Sequence, residues 1–329
     1  MSAIMPIAGR IFTKLEEHSK RSSVKPQDVE VEQVRSLRGT SINKAVTEEG
    51  ELADFFVSAD GISTKDSRHF MDVALFRMSK RESRAGEVMR YDLADGYIEV
   101  KAGPDGMASI WDYDIVLMLI SHLTESMNLY KRGRSAMPSR LFTPHVSDIL
   151  KFCQRGDGGN QSKRIESALD RLKGTTIKSV LHRPSRNSKC VTREVKSESL
   201  ISGYRVLSET VSGRVDRVEI EAPSWIYRQV IDSHGSAVLT VNQDYFLIGS
   251  AIARFIYRLA RRAAGNDRAQ WGFKTIYERS GMTCFKEFCR ILRRLIRSDN
   301  LPEYNLYEEA GLSGPQLIMT RRSADPGCG

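Results

Sequence analysis

The stretch GFKTIYERSGMTCFKEFCRILRRLI, residues 272–296, decides the fold. Residues 273–280 read as a short helix, and Gly281 is the residue type that accepts the left-handed turn past a helix C-terminus. Thr283 is then placed to cap a second helix of about 15 residues, CFKEFCRILRRLIRS. Phe285, Phe288, Leu292 and Leu295 or Ile296 recur at the spacing of one buried face. Lys286, Arg290, Arg293, Arg294 and Arg297 fill the remaining faces. Like charges four residues apart, such as Arg290–Arg294 and Arg293–Arg297, repel by roughly 0.2–0.5 kcal/mol per pair. Glu287 and Asp299 are the only acids nearby in sequence, so an external polyanion, phosphate above all, is the natural counter-charge. A solvated basic face is the ordinary alternative.

Working outward, YNLYEE and PQLIMTRR, around Gly311 and Gly314, read as two short strands closing the chain. Upstream, a long helix is expected from about Asp244 to Ala263, with Ile248, Ile252, Phe255, Ile256 and Leu259 inward. WIYRQVIDS (225–233) reads as a short helix and AVLTV (237–241) as a strand. Helices followed by a β-hairpin form the winged-helix order. In that order the second helix of the close pair enters the major groove, where Arg grips guanine O6 and N7.

The same order is read in residues 66–222. MDVALFRMSK (71–80) is a short apolar run, and YDLADGYIEVKAG (91–103) alternates around the turn pair Asp95-Gly96. A helix is expected from Trp111 to Asn128, its buried face carrying Ile115, Met118, Leu119, His122 and Leu123, with His122 read as a core histidine. Thr143 and Pro144 suit the start of the next helix. RGDGGN (155–160) breaks it, and a third helix runs from Gln161 to Lys173 with Ile165, Ala168, Leu169 and Leu172 inward. Asn160, Gln161, Lys163 and Arg164 sit at its N-terminal end and Arg171 lies outside its stripe, so DNA contact is weighed against a plain surface helix. Hairpin strands follow in TIKSVLH, CVTREV, GYRVLSE and RVDRVEIE, and HRPSRNSK (182–189) is a basic hairpin tip. The expectation is an α+β protein of two tandem winged-helix domains, residues 66–222 and 223–329, behind a polar accessory region, residues 1–65.

Charge follows the same division. Of the net +9 in 329 residues, segment 131–200 carries +10 and segment 251–300 carries +8, each centred on a candidate helix, while the rest is acidic. No apolar run approaches the roughly 18 residues of a membrane span. The N-terminus lacks a secretory signal, so a cytoplasmic protein without membrane association is expected. Cys153, Cys190, Cys284, Cys289 and Cys328 form no CxxC pair, which argues against a zinc site. No Gly-Lys pair exists for a phosphate-binding loop, and neither HxH nor HExxH occurs. His182 and Arg186 have the spacing H-x-x-x-R, not the H-x-x-R of tyrosine recombinases. Asp92–Asp95 and Asp112–Asp114 are better read as turn and helix-start residues than as metal ligands. The chain is expected to be no enzyme and to need no metal or cofactor. A nickase or recombinase using one of the 11 tyrosines is the enzymatic alternative.

MDVALFRMSK (71–80), YDLADGYIEVKAGPDGMASIWDYDIVLMLISHL (91–123), GGNQSKRIESALDRLKGTTI (158–177), APSWIYRQV (222–230) and residues 272–296 together resemble the plasmid replication initiator protein A (RepA) family. The likeness is to the IncW type, related to TrfA and the iteron-binding Rep initiators, and covers about residues 66–322. It implies an initiator that binds direct repeats (iterons) at a plasmid origin, helps melt an AT-rich region and recruits host DnaA and the replicative helicase DnaB. It also implies a monomer on iterons and a homodimer that represses its own gene, with dimerisation through the N-terminal winged helix. By analogy Lys286, Arg290, Arg293, Arg294 and Arg297 fall on the main recognition helix, and Gln161, Lys163, Arg164 and Arg171 on its N-terminal counterpart. A winged-helix transcriptional repressor without origin function has the same physics and is the alternative.

Overall fold

Helix α1, Tyr113–Lys131, is the pillar of the N-terminal half, and its apolar residues explain why. The one face expected from spacing is exceeded: Val116, Leu117 and Ile120 are buried alongside Ile115, Met118, Leu119 and Leu123. It begins at Tyr113 and not Trp111, and neighbouring elements cover it on nearly every side as far as Met127. His122 is fully buried, its ring 5.2 Å from that of Phe142. The computed structural model describes residues 53–55, 62–156, 161–184, 191–207, 216–232 and 237–322. The accessory region expected over 1–65 lies largely outside the described residues, as do Asn160 and residues 185–189 of the basic hairpin tip.

Strands β1 (Ala53–Phe55) and β2 (Lys65–Ser67) precede the hairpin β3 (Val88–Leu93) and β4 (Gly96–Lys101). Leu93 pairs with Gly96, so the turn residues are Ala94 and Asp95, one position earlier than the spacing suggests. Gly96 is instead a point of close approach, since a Cβ there would lie 1.9 Å from the carbonyl oxygen of Val180. Past α1 come β5 (Pro138–Phe142), α2 (Val146–Phe152) and α3 (Gln161–Gly174). The start expected at Thr143 and Pro144 is corrected: His145 precedes α2 and its side chain makes no capping bond. The Pro144 carbonyl accepts from Val218 N–H at 3.1 Å, which ties the segment to a strand.

Four strands follow, β6 (Thr176–Pro184), β7 (Val191–Ser199), β8 (Gly203–Leu207) and β9 (Arg217–Glu221). Sequence order does not tell which hairpin completes the module around α2 and α3. The pairing does. Hairpin β6–β7 extends the β3–β4 sheet in the order β3-β4-β6-β7, whereas β8–β9 joins β5 in the order β1-β5-β9-β8.

The C-terminal half repeats that second arrangement. Helix α4 (Ser224–Ile231) and β10 (Val238–Thr240) lead to α5 (Ala251–Ala263), β11 (Arg268–Gly272), α6 (Phe273–Ser280), α7 (Phe285–Ser298), β12 (Tyr304–Gly311) and β13 (Gly314–Arg321). The sheet order is β11-β13-β12, matching β5-β9-β8 as first, third and second strand. The continuous helix expected from Asp244 to Ala263 is two elements. A 3₁₀ turn, Gln243–Leu247, is capped by Asn242, and α5 restarts where the Ser250 hydroxyl accepts from Ala253 N–H. The cap expected from Thr283 is corrected too, because Cys284 precedes α7 and gives no side-chain cap.

The two halves share one apolar core, running from Phe70 to Met319. Strand β2 pairs with β10, and Ala74 N–H donates to the Arg279 carbonyl at 2.9 Å. Gly281, at φ 67°, turns α6 into α7 directly over β3, where a Cβ would meet Met89 Sδ at 2.7 Å. Buried charge crosses the same boundary. Arg254 of α5 holds Asp114 of α1, which Arg155 also reaches at 2.8 Å. Fully buried Arg258 donates to Asp66 at 2.6 Å, and Tyr113 donates to the other oxygen of that carboxylate. Burial pushes the Asp114 carboxyl above its usual range, opposed by its two guanidinium partners.

Candidate nucleic-acid interface

Helix α7 buries Phe288, Cys289, Leu292 and Leu295. Phe285 was expected in that set and is 41% exposed instead, because it opens the helix, where its ring lies edge-on to that of Tyr277 at 5.1 Å. The buried stripe fixes how α7 rolls, and the opposite side is therefore settled. Lys286, Arg290, Arg293, Arg294 and Arg297 are all exposed. Four of them, Lys286, Arg290, Arg293 and Arg297, line a groove of 740 Å³ whose far wall includes Pro315 of β13.

Their charges are not equivalent. Arg290 donates Nε and Nη2 to the two oxygens of Glu287, at 2.7 and 2.5 Å. Arg293 donates Nε and Nη2 to Glu308 on β12, at 2.9 and 2.8 Å. These guanidinium groups hold both carboxyls below their usual range. Lys286, Arg294 and Arg297 make no hydrogen bond or ion pair among the described residues. Glu308 is the residue that sequence reasoning missed; it lies 15 positions from Arg293 and meets it only through the pairing of β12 beside α7.

On α3, Ile165, Ala168, Leu169 and Leu172 are buried as the spacing predicts. Lys163 and Arg164 are exposed near its N-terminal end, with Gln161 half-buried beside them. Arg171 is placed differently. It forks onto Asp112 at 2.9 Å through both Nε and Nη2, fastening α3 to the start of α1. Asp112 in turn accepts from Ser109 N–H at 2.8 Å. The structure thus brings four cations together in the α7 groove, sets Arg294 in a separate depression with Ser298 and Arg322, and leaves two cations exposed on α3 with Arg171 tied inward.

The block charges also need revising. In 251–300, Arg254 and Arg258 are buried and paired inward, Arg262 and Arg279 both pair with Asp72, and Arg268 pairs with Glu309. Among the described residues, no three or more His, Cys, Asp or Glu side chains gather as metal ligands. No described helix is long and apolar enough to cross a membrane.

The family model described as Replication initiator protein A matches residues 65–306, most of the chain. The chain belongs to the replication initiator protein A family. This initiator is 29% identical over 262 residues to a protein of Wigglesworthia glossinidia brevipalpis named "Putative replication protein", covering 78% of this chain and 90% of that one. Domains 2 and 3 of RctB share its mixed α/β fold, with a TM-score of 0.56 and 11% identity over 78% of the initiator and 99% of the RctB chain. At that identity the likeness is one of fold.

Proposed function

We propose that this initiator is a plasmid replication protein that binds direct repeats at its origin through two tandem winged-helix modules, residues 66–222 and 223–329. The observation that carries the reading is the basic stripe of α7, exposed beside hairpin β12–β13. In this reading α7 enters the major groove and β12–β13 is the wing that flanks it. Lys163 and Arg164 on α3 contact the other end of the repeat, with β8–β9 as the corresponding wing. Two modules on one chain make the second contact intramolecular, so affinity rises above that of either alone.

The protein then helps open an AT-rich region and recruits host DnaA and DnaB in the cytoplasm. It acts as a monomer on iterons and represses its own gene as a homodimer. It works by binding and deforming DNA, without bond chemistry of its own and without a cofactor. The direct test is replication of a plasmid carrying only this gene and its flanking DNA, with wild-type chain or with Lys286→Ala/Arg294→Ala/Arg297→Ala. The wild type should sustain the plasmid and the triple variant should lose it. If the wild type binds the flanking repeats yet the plasmid is not maintained, the origin function is wrong and a repressor remains.

A further inference from the structure

Two of the four cations lining the α7 groove are occupied by carboxylates, and the manner of occupation is specific. Glu287 and Glu308 each take the Nε and Nη2 donors of one arginine. Guanine O6 and N7 ask for a fork of the same shape. Both pairs are exposed, with side chains 31–53% accessible, so they contribute little to stability. An exchangeable acid against the central arginines, with Lys286 and Arg297 left open at the ends of the stripe, does more for selectivity than for folding.

We propose that Glu287 and Glu308 are specificity-determining residues that gate Arg290 and Arg293 against non-cognate DNA; this rests on α7 being the helix that meets the duplex. A stray phosphate must displace a carboxylate that already satisfies both donors, so it gains little. A guanine placed in register by the outer cations offers two acceptors and completes the exchange. The carboxylates therefore penalise random sequence more than the cognate site, which is discrimination by an unfavourable element. Glu308 has a further consequence. It stands on β12 while Arg293 stands on α7, so releasing the pair also removes an exposed polar tie between hairpin and helix, whose buried apolar packing stays in place.

The test uses the full chain and two probes, a random-sequence 30-bp duplex and the duplex that the wild type selects from a random pool. Glu308→Gln should steepen the salt dependence on random duplex by about 0.9 in log–log slope, one phosphate contact. It should lower the selected-to-random affinity ratio by about fivefold near 0.15 M salt, the worth of one such contact. Glu287→Gln should act in the same direction. Glu309→Gln removes the same charge from the next residue of β12, whose partner is Arg268, and should leave the ratio alone. In an Arg293→Ala background Glu308→Gln should leave the selected-to-random ratio unchanged. A wild type that enriches no duplex from the pool and does not bind the random one sinks the assignment of α7 itself. A wild type that binds, with Glu308→Gln at the wild-type ratio or Glu309→Gln matching its effect, overturns the gate alone.

Discussion

Arg254 on α5 donates one nitrogen to both oxygens of Asp114 on α1, at 2.8 and 2.9 Å, across 140 positions of sequence. Both side chains are almost completely buried. The pair is one of the buried ties between the two halves, beside Arg258–Asp66 and the pairing of β2 with β10. Arg254 also donates to the carbonyls of Ile248 and Phe246, both at 2.8 Å, which accounts for most of its donors.

Breaking this network by one side should be costly, because a buried charge is left without its partner; such losses run to about 3–5 kcal/mol. The order of severity follows from the partners. Asp114→Ala strands buried Arg254 and should destabilise most. Arg254→Ala leaves Asp114 with Arg155 and should cost less, and Arg155→Ala, whose side chain is 28% accessible, least. Urea unfolding of the three variants checks the order. Equal stabilities would mean the pair does not hold the halves together.

The exposed cations of α7 should separate into two classes. Lys286→Ala, Arg294→Ala and Arg297→Ala each remove an unneutralised charge and should flatten the salt dependence of duplex binding by about 0.9. Arg290→Ala and Arg293→Ala remove a charge that already has a carboxylate. These two should change the slope less, cost about 1–3 kcal/mol on a cognate site and relax its sequence preference. Five variants measured at four salt concentrations decide the matter. Indistinguishable slopes across all five would remove the distinction between paired and free cations.

Much of this site was legible in the sequence because it depends on local periodicity. The buried stripe of α7 fixes its roll, and the five cations follow from 14 residues read in isolation. What periodicity cannot give is long-range pairing. Arg254 and Arg258 looked like part of a basic block because their acids lie on α1 and β2, 140 and 192 positions away respectively. Arg171 looked free for the same reason, since Asp112 is 59 positions distant. Strand β11 went unread although Arg268, Ala269, Gln270 and Trp271 alternate polar and apolar, because five residues are too short a run to stand out before β13 pairs with them. The module order was visible early, yet only sheet pairing showed that β8–β9, and not β6–β7, takes the place of β12–β13.

Arg171 gives a contrast within α3. Its fork onto Asp112 is half-buried and anchors α3 to the start of α1, so Arg171→Ala should lower the unfolding temperature. A charge-assisted hydrogen bond of this kind is worth about 1.5–3 kcal/mol. Lys163 and Arg164 have no partner among the described residues, so Lys163→Ala and Arg164→Ala should leave the unfolding temperature within error while flattening the salt slope. If Arg171→Ala weakened DNA binding with no loss of stability, it would belong with the contacting residues after all.

Cys284 offers a footprint of the proposed interface without altering any cation. It is exposed at the mouth of α7 and lines the groove with Lys286 and Arg290. Cys153 and Cys289 are buried, and burial pushes both thiols up, which lowers their thiolate fraction at neutral pH. A brief maleimide pulse, read by peptide mass, should label Cys284 well before Cys153 or Cys289. Adding duplex DNA should slow labelling of Cys284 and leave Cys153, which lies outside the groove, unchanged, since a duplex seated in the groove covers the Cys284 thiol. Equal labelling of Cys284 with and without saturating DNA would place the duplex elsewhere on the protein.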